Sequence, residues 1–451
     1  MTLRQEEHHD DRPHAANDFN DAEKPDTALV ARSSASARLS RVLDRLFPDG
    51  SPIRFEMWDQ SAFGPDSSVG TLSFRSPNAV RRLIWSPNDL GLARAYITGE
   101  IDVEGDLFET LKALQRAITK RQVVPQTLWS AMVAALRLGA IGSPPKAPAE
   151  EVRLSGWRHS KARDAAAISH HYDVSSDFYR IVLGPAMTYS CARFVSADLS
   201  LVEAQRAKHD LVCRKLGLHE RREAHLLDVG CGWGSMAIHA AGTYHARVTA
   251  ITLSPEQEKA AKRRIEDADV EREVEVRLED YRDLRDETYD AISSIGMFEH
   301  VGSKNMHEYF STLYSLLPPG GRLLNHAISA PGSSKIQGPT FINRYVFPDG
   351  ELIDVADVVR AMEHAGFEVR DVESLREHYV DTLHAWVSNL EHSWQEAVAI
   401  VGEPRARIWR LYMAGSANAF EEGRTAIHQV LGVRPDEGGN SAMPRTRVDW
   451  H

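Results

Sequence analysis

Large apolar residues are nearly missing from the start of the chain and periodic after it. Residues 1–27 are polar and mostly acidic. Such a stretch cannot bury enough surface to offset its chain entropy, so residues 1–30 are expected to form a disordered acidic tail. Its His8-His9-Asp10-Asp11 string reads as solvated, because no structured ligand partners flank it. From residue 35, Leu39, Val42, Leu43, Leu46 and Phe47 share one helical face, and Pro48-Asp49-Gly50 ends that helix. Ile53, Phe55 and Met57 alternate with polar residues and predict a strand, with a second from Val69 to Arg75. Asn78–Trp85 and Asp89–Thr98 carry helical spacing. Leu128, Trp129, Met132, Val133, Leu136 and Leu138 mark a last helix, read as core rather than membrane contact. Residues 31–142 thus predict a small mixed α/β domain. The proline-dense stretch after it, within 143–156, predicts a stiff linker.

Beyond the linker the period changes. Leu226–Val229, Arg247–Ile251, Val274–Leu278, Tyr289–Ile295, Arg322–Ile328 and Phe367–Val372 read as strands. Between them lie the helices Ser235–Gly242, Pro255–Ala268 and Lys304–Leu317. That alternation predicts a doubly wound, mostly parallel sheet with helices on both faces, over residues 157–435. A helical insertion at 372–423, broken near Gly402-Glu-Pro404, separates the last strands. It is rich in large apolar groups: Trp386, Leu390, Trp394, Val398, Trp409, Tyr412 and Phe420. Ile427–Val433 reads as the final strand, and residues 436–451 as a Gly/Pro-rich tail.

Composition narrows the function. Of 451 residues, 53 are Lys or Arg and 64 Asp or Glu, a net charge of −11. That argues against nucleic acid as the partner. Three cysteines exclude a disulfide scaffold. No uncharged apolar run reaches about 18 residues, and the N-terminus lacks an apolar signal segment, so neither a spanning helix nor a secretory signal is expected.

The strongest local motif is Asp228-Val-Gly230-Cys-Gly232-Trp-Gly234, after a strand and opening a helix. Three glycines at alternate positions let backbone approach a ligand closely. The spacing departs from the dinucleotide fingerprint, G-x-G-x-x-G, and a ligand is expected at the carboxyl end of this strand. It resembles the S-adenosylmethionine (SAM) motif of doubly wound methyltransferases. Thr252, Leu253 and Gln257 follow the second strand, where Thr252 and Gln257 can bond sugar hydroxyls. Asp280 and Tyr281 follow the third, a carboxylate and an aromatic suited to an adenine.

Three further motifs make the resemblance specific: His171-Tyr-Asp-Val-Ser-Ser-Asp-Phe-Tyr179, Met187-Thr-Tyr-Ser-Cys-Ala192 and Gly296-Met-Phe-Glu-His-Val-Gly302. With them the chain resembles the cyclopropane-fatty-acyl-phospholipid synthases, which include the mycolic acid cyclopropane synthases, over residues 165–434. The resemblance extends more weakly to Tyr96–Val103. It implies a seven-stranded class I methyltransferase (Rossmann-like) fold with a helical lid, and a reaction in which SAM methylates the cis double bond of an acyl chain beside a bound bicarbonate. Carried over by motif, the bicarbonate site comprises Cys191, Glu299, His326, Ile328 and Tyr379. The cofactor site comprises Tyr189, Ser190, Asp228, Gly230, Gly232, Gly234, Thr252, Leu253, Gln257, Asp280 and Tyr281, and no metal is implied. Cys213 and Cys231 are expected to be packing residues.

The chemistry agrees with that set. An alkene has no proton to remove before attack, so the enzyme must orient it against the methyl. The resulting cation demands a dry pocket, aromatic faces and one base. Glu299 can donate to an anion only if burial raises its pKa. Ring closure gives a cyclopropane, whereas a hydride shift before proton loss gives a methylene branch. The 341–352 and 405–434 stretches look more like actinobacterial relatives that make 10-methylene or 10-methyl (tuberculostearic-type) chains, which favours that branch and implies a separate reductase. The resemblance also implies a phospholipid acyl chain, oleoyl by the branch reading, at the inner face of the membrane, and a homodimer. The small N-terminal domain is expected to dock lipid or to dimerise. A small-molecule N- or O-methyltransferase of related fold is the alternative.

Overall fold

The structure is a computed structural model that describes residues 34–119, 133–134, 136–140, 142–152, 163, 175–285, 287–332, 340–348 and 350–450. The expected tail at 1–30, most of the expected helix around Leu128–Leu138 and the His171–Val174 part of the first family motif lie outside the described residues.

The N-terminal unit comprises α1 (Ala35–Leu46), β1 (Arg54–Glu56), β2 (Ala62–Phe63), β3 (Gly70–Phe74), α2 (Pro77–Trp85), α3 (Asp89–Ile97), β4 (Ile101–Gly105) and α4 (Leu107–Thr119). Its four strands order as β2-β1-β3-β4. The strand β4 and helix α4 fall in a stretch to which the apolar pattern assigned no element. β4 is short and half exposed, so only Ile101 and Val103 point inward and the alternation is brief.

The larger unit contains α5 (Ser176–Leu183), α6 (Leu201–Leu216), β5 (His225–Val229), α7 (Ser235–Tyr244), β6 (Arg247–Thr252), α8 (Pro255–Asp267), β7 (Val274–Leu278), β8 (Ala291–Ile295), α9 (Met306–Ser315) and β9 (Arg322–Ser329). After these come α10 (Phe341–Tyr345), α11 (Val355–His364), β10 (Glu368–Ser374), α12 (Arg376–His392), α13 (Trp394–Val401), α14 (Glu403–Glu421) and β11 (Ala426–Val433). Seven strands order as β10-β11-β9-β8-β5-β6-β7. β11 runs antiparallel to both neighbours and the remaining pairs are parallel. The central strands are buried along nearly their whole length, and their polar residues Asp228, Ser293, Ser294, Asn325 and His326 are buried with them. The chain proceeds outward from β5 through β6 to β7, then returns to β8 on the other side. The switch point therefore lies at β5, where an open α/β sheet holds its ligand.

Local signals explain the helix boundaries that flank this crevice. Ser200 and Glu203 form a reciprocal capping box at the start of α6, and Gly217 ends it in the left-handed conformation. Ser254 caps α8, whose first residue is Pro255.

Helices α12, α13 and α14 form the expected insertion between β10 and β11. The N-terminal unit packs against it, and one apolar cluster runs through both, from Phe55 and Tyr96 to Trp386 and Trp409. Arg407 of α14 is buried between Glu403, Asp102 (3.2 Å) and the Tyr96 carbonyl (3.2 Å). The Asn418 amide donates to the Phe108 carbonyl (2.9 Å), and the Phe108 ring stacks on His384 at 3.8 Å. The proline-rich connection is pinned too: Glu151 is buried against Arg94 (2.7 Å) and the Tyr345 hydroxyl (3.2 Å).

One boundary is corrected. Residues 436–450 are folded back on the sheet rather than free. Trp450 is buried, Arg447 pairs with Asp371 at 2.7 Å, and Met443 packs against the core under β5 and β6. Glycine and proline limit regular structure here to one 3₁₀ turn, Val448–Trp450, and two large apolar anchors hold the segment.

Candidate active site

A cleft opens at the carboxyl ends of β5, β6 and β8. Its floor is the glycine turn. Gly230, Gly232 and Gly234 have φ of 78°, 57° and 78°, a region where side chains are strained. At Gly230 a Cβ would also sit 3.0 Å from that of Met297, so close approach as well as conformation demands glycine there. Tyr189, Ser190, Asp228, Gly230, Gly232, Thr252, Leu253, Gln257 and Tyr281 all line the cleft. Two expected cofactor residues do not. Gly234 opens α7 and packs towards Ala261 of α8. Asp280 turns away to pair with Arg282 (2.7 Å) and to cap a short 3₁₀ turn, and Glu279 lines the cleft beside it. The Arg282 guanidinium and the Arg282 backbone N–H (2.9 Å) both hold that carboxylate. Thr252 donates to the Gln257 side-chain oxygen at 2.8 Å, so the pair is preorganised at the sugar-bonding edge.

Asp228 is buried. Its Oδ1 accepts from Ser293 (2.7 Å), while Oδ2 has no partner among the described residues. Burial pushes its pKa up to about 6. Sequence reasoning missed several wall residues, among them Lys208, His209, Trp233, Ser235, Met297 and His300. Lys208 carried a readable signal: it occupies the apolar stripe Ala204–Lys208–Val212 of α6.

The five expected anion-site residues fall on adjoining elements behind the cleft. Glu299 sits in the 3₁₀ turn after β8, and His326 and Ile328 lie on β9. Glu299 Oε1 accepts from the Ile328 backbone N–H at 2.7 Å, which joins two of the five residues directly. Glu299 Oε2 is buried without a partner among the described residues. Burial raises the carboxyl to a pKa of about 7, against the Ile328 hydrogen bond, which lowers it. His326 is fully buried and its pKa is pushed well below the ordinary value by desolvation. Gln429, opposite it in the β9–β11 register, places its amide nitrogen 3.2 Å from Nδ1. With Gln429 donating, the ring proton sits on Nε2, which is likewise buried and unpartnered among the described residues. Cys191 and Tyr379 meet at one carbonyl: Cys191 Sγ lies 3.5 Å from the Leu375 oxygen, which also accepts the Tyr379 N–H at 3.2 Å. The Leu375 N–H in turn donates to Ile427, opposite Ile328 on β9. Burial pushes the Cys191 thiol far up, so it is no nucleophile at neutral pH.

Aromatic rings cover this region. Tyr189 lines the cleft, bonds Tyr412 hydroxyl to hydroxyl at 3.2 Å, and packs on Trp386 (5.3 Å) and Trp409 (5.6 Å). Tyr379 packs on Phe420 (4.6 Å) and, edge-on, on Trp386 (6.0 Å). The insertion thus supplies most of the rings over the site.

Comparison with known proteins decides the family. The model for mycolic acid cyclopropane synthetase matches residues 159–430. The chain belongs to the mycolic acid cyclopropane synthetase family. It is accordingly a SAM-dependent methyltransferase. Over 403 residues it is 41% identical to a protein of Mycobacterium tuberculosis named "Probable fatty acid methyltransferase", covering 87% of this chain and 93% of that one. A tuberculostearic acid methyltransferase of the same organism is 32% identical over 428 residues, 91% of this chain and 95% of the relative. Among solved structures, mycolic acid cyclopropane synthase CmaA1 complexed with SAH and CTAB is 35% identical, with a TM-score of 0.56 over 59% of this chain and 97% of that one. In this cyclopropane synthetase relative the cleft at β5 fits SAM: a glycine floor, an unpartnered carboxylate and a ring, Tyr281, on one wall.

Proposed function

We propose that the protein methylates the cis double bond of an unsaturated acyl chain, oleoyl in a membrane phospholipid, and that the cation so formed loses a proton to bicarbonate. The product we favour is the 10-methylene chain rather than the cyclopropane. One observation carries the reading. Two buried polar atoms, Glu299 Oε2 and His326 Nε2, lack partners among the described residues near an aromatic cluster that shares Tyr189 with the cofactor cleft, and Gln429 Oε1 beside His326 and Trp386 Nε1 in that cluster lack partners too. Buried polar atoms are otherwise almost always satisfied, so such a group points to a small hydrogen-bonding ligand.

SAM supplies an electrophilic methyl when bound, and bicarbonate supplies a base. Tyr189 and Ser190 form the wall between cleft and cluster, where the reacting carbon must sit. The rings of Tyr189, Trp386, Trp409 and Tyr412 exclude water and present π faces to a developing cation, each worth roughly 0.5–2 kcal/mol. Protonated Glu299 and the Nε2–H of His326 both donate, and so hold an anion without adding a second negative charge. Tyr379 at the start of α12 and the backbone at Cys191 complete the proposed anion site. The neutral state of both buried groups suits this role, since desolvation opposes ionisation of each. Two relatives support the acyl substrate by name, and the tuberculostearic relative supports the branch over the ring. A methylene product calls for a separate reductase to give a saturated branch. The aromatic insertion suits an acyl tunnel, the N-terminal unit a place at the lipid surface, and the assembly a homodimer. No described helix is long and apolar enough to cross a membrane.

The test is mass spectrometry of fatty acids released from oleoyl phospholipid after incubation with SAM. The expected result is a gain of one CH₂, located by fragmentation as a branch at C10. A ring at the old double bond overturns the product assignment. No gain on any unsaturated acyl chain, with bicarbonate supplied, overturns the lipid reading in favour of a small-molecule acceptor.

A further inference from the structure

Lys208 is fully buried, and no carboxylate lies within ion-pair distance of it among the described residues. It lies in the middle of α6, 1% exposed, and its ammonium donates to the Ser190 hydroxyl at 3.0 Å. No ion pair within 4.0 Å engages it among the described residues. By contrast Lys215, one helical stripe further along α6, is held by Asp371 (2.8 Å) and Glu373. A buried ammonium without a counter-charge is costly, and a core lysine normally has its partner built in. Here the partner position faces the cleft: Lys208, Ser190 and Asp228 all line it. On the same wall Asp228 offers an unpartnered carboxylate oxygen. One wall therefore presents a cation with a hydroxyl, and separately an anion. That is the complement of a zwitterion, an α-amino acid head.

We propose that Lys208, together with Ser190, binds the carboxylate of the amino-acid end of the cofactor, with Asp228 facing its ammonium. The inference rests on the reading of the cleft as the SAM site. It adds the charge that fixes the methionine end, and hence the direction in which the methyl points towards the rings at Tyr189. The electrostatics agree. Desolvation pushes the empty-site lysine down to about 7, with Cys191, Asp228 and Cys213 the groups that pull it back up. The facing histidines, His209 and His326, are neutral by burial and supply no competing cation. A bound carboxylate favours the ammonium, so binding takes up a proton above pH 7, and affinity for the carboxylate declines as pH rises from there.

The experiment compares calorimetric affinity for S-adenosylhomocysteine with that for 5′-methylthioadenosine, which lacks the amino-acid head, in bicarbonate-free buffer. Lys208→Met should weaken S-adenosylhomocysteine by about thirtyfold or more, the scale of a buried charge partner, and leave methylthioadenosine within about threefold. Ser190→Ala should show the same selectivity with a smaller loss. In the wild type the preference for S-adenosylhomocysteine should decline above pH 7, and in Lys208→Met it should not. Methionine fits an apolar stripe, and a melting curve checks that the variant folds. Equal loss of both ligands makes Lys208 a structural residue and overturns the proposal. So does unchanged S-adenosylhomocysteine affinity, which would point the cation to bicarbonate instead. If the wild type binds neither ligand, it is the reading of the cleft that fails.

Discussion

At the residue scale the account turns on Glu299 and its neighbours. Its carboxyl titrates near 7 in the fold and near 4.5 when unfolded. A raised folded pKa means the folded state keeps a proton that the unfolded state releases between those values. The contribution to stability is therefore present below about 4.5 and lost as pH rises through 7. The loss amounts to roughly 3 kcal/mol. Comparing urea melts of wild type and Glu299→Gln over about pH 4–9 isolates it: stability relative to the variant should fall with pH through 7, then level off. The amide keeps the bond to Ile328 and the donor on the other side, so turnover of Glu299→Gln reports whether the proton itself matters. If Glu299 acts as a neutral hydrogen-bond donor that holds the anion, Glu299→Gln keeps turnover within about tenfold, whereas Glu299→Ala, which removes the donor, loses about 10²-fold or more. Affinity for S-adenosylhomocysteine should stay within about threefold, because Glu299 does not line the cleft. Gln429→Leu removes the partner that sets the His326 tautomer, and should cut turnover by about 10- to 100-fold with cofactor affinity kept. Most of these residues were legible in the sequence, because motif spacing marks Glu299, His326 and the glycine turn. The engagement of Ile328, the turning away of Asp280 and the burial of Lys208 were not, since each depends on a neighbour distant in sequence or on a side-chain direction.

At the element scale, the glycine turn between β5 and α7 is the part most exposed to a single change. Gly230→Ala places a methyl 3.0 Å from Met297 Cβ at a positive φ. It should cost about 1–3 kcal/mol of stability by thermal melt and abolish measurable S-adenosylhomocysteine binding. The strands and helices around this turn were readable from their alternation along the chain, whereas the strand order was not, because it depends on pairings distant in sequence. β4 and α4 escaped because a strand of five residues with an exposed end leaves little alternation. In the C-terminal segment, rich in glycine and proline, Trp450 of a short 3₁₀ turn anchors the chain against the sheet, a contact no local pattern announces.

At the scale of the whole molecule, the N-terminal unit and the helical insertion share one apolar cluster, and Arg407 bridges them. Arg407→Met removes the buried partner of Asp102 but leaves it Arg75, and should lower stability by roughly 1–3 kcal/mol. The two units should still melt in one transition, because the apolar contacts remain. Two transitions in the wild type would contradict that coupling. The coupling has a functional side, since α14 carries both Arg407 and the rings Trp409 and Tyr412. Sequence patterning divided the chain near residue 143 but said nothing of this contact, because a shared core between units leaves no periodic trace in either.

The central claim is methyl transfer to an alkene followed by loss of a proton from that methyl. It is tested most directly by supplying SAM with a trideuterated methyl and measuring the label in the product of an oleoyl phospholipid. Both the methylene and the cyclopropane route remove one hydron from the transferred carbon, so the account predicts that two of the three deuteriums are retained on the acyl chain. Retention of all three, or label found only on a nitrogen or oxygen of the acceptor, would contradict it.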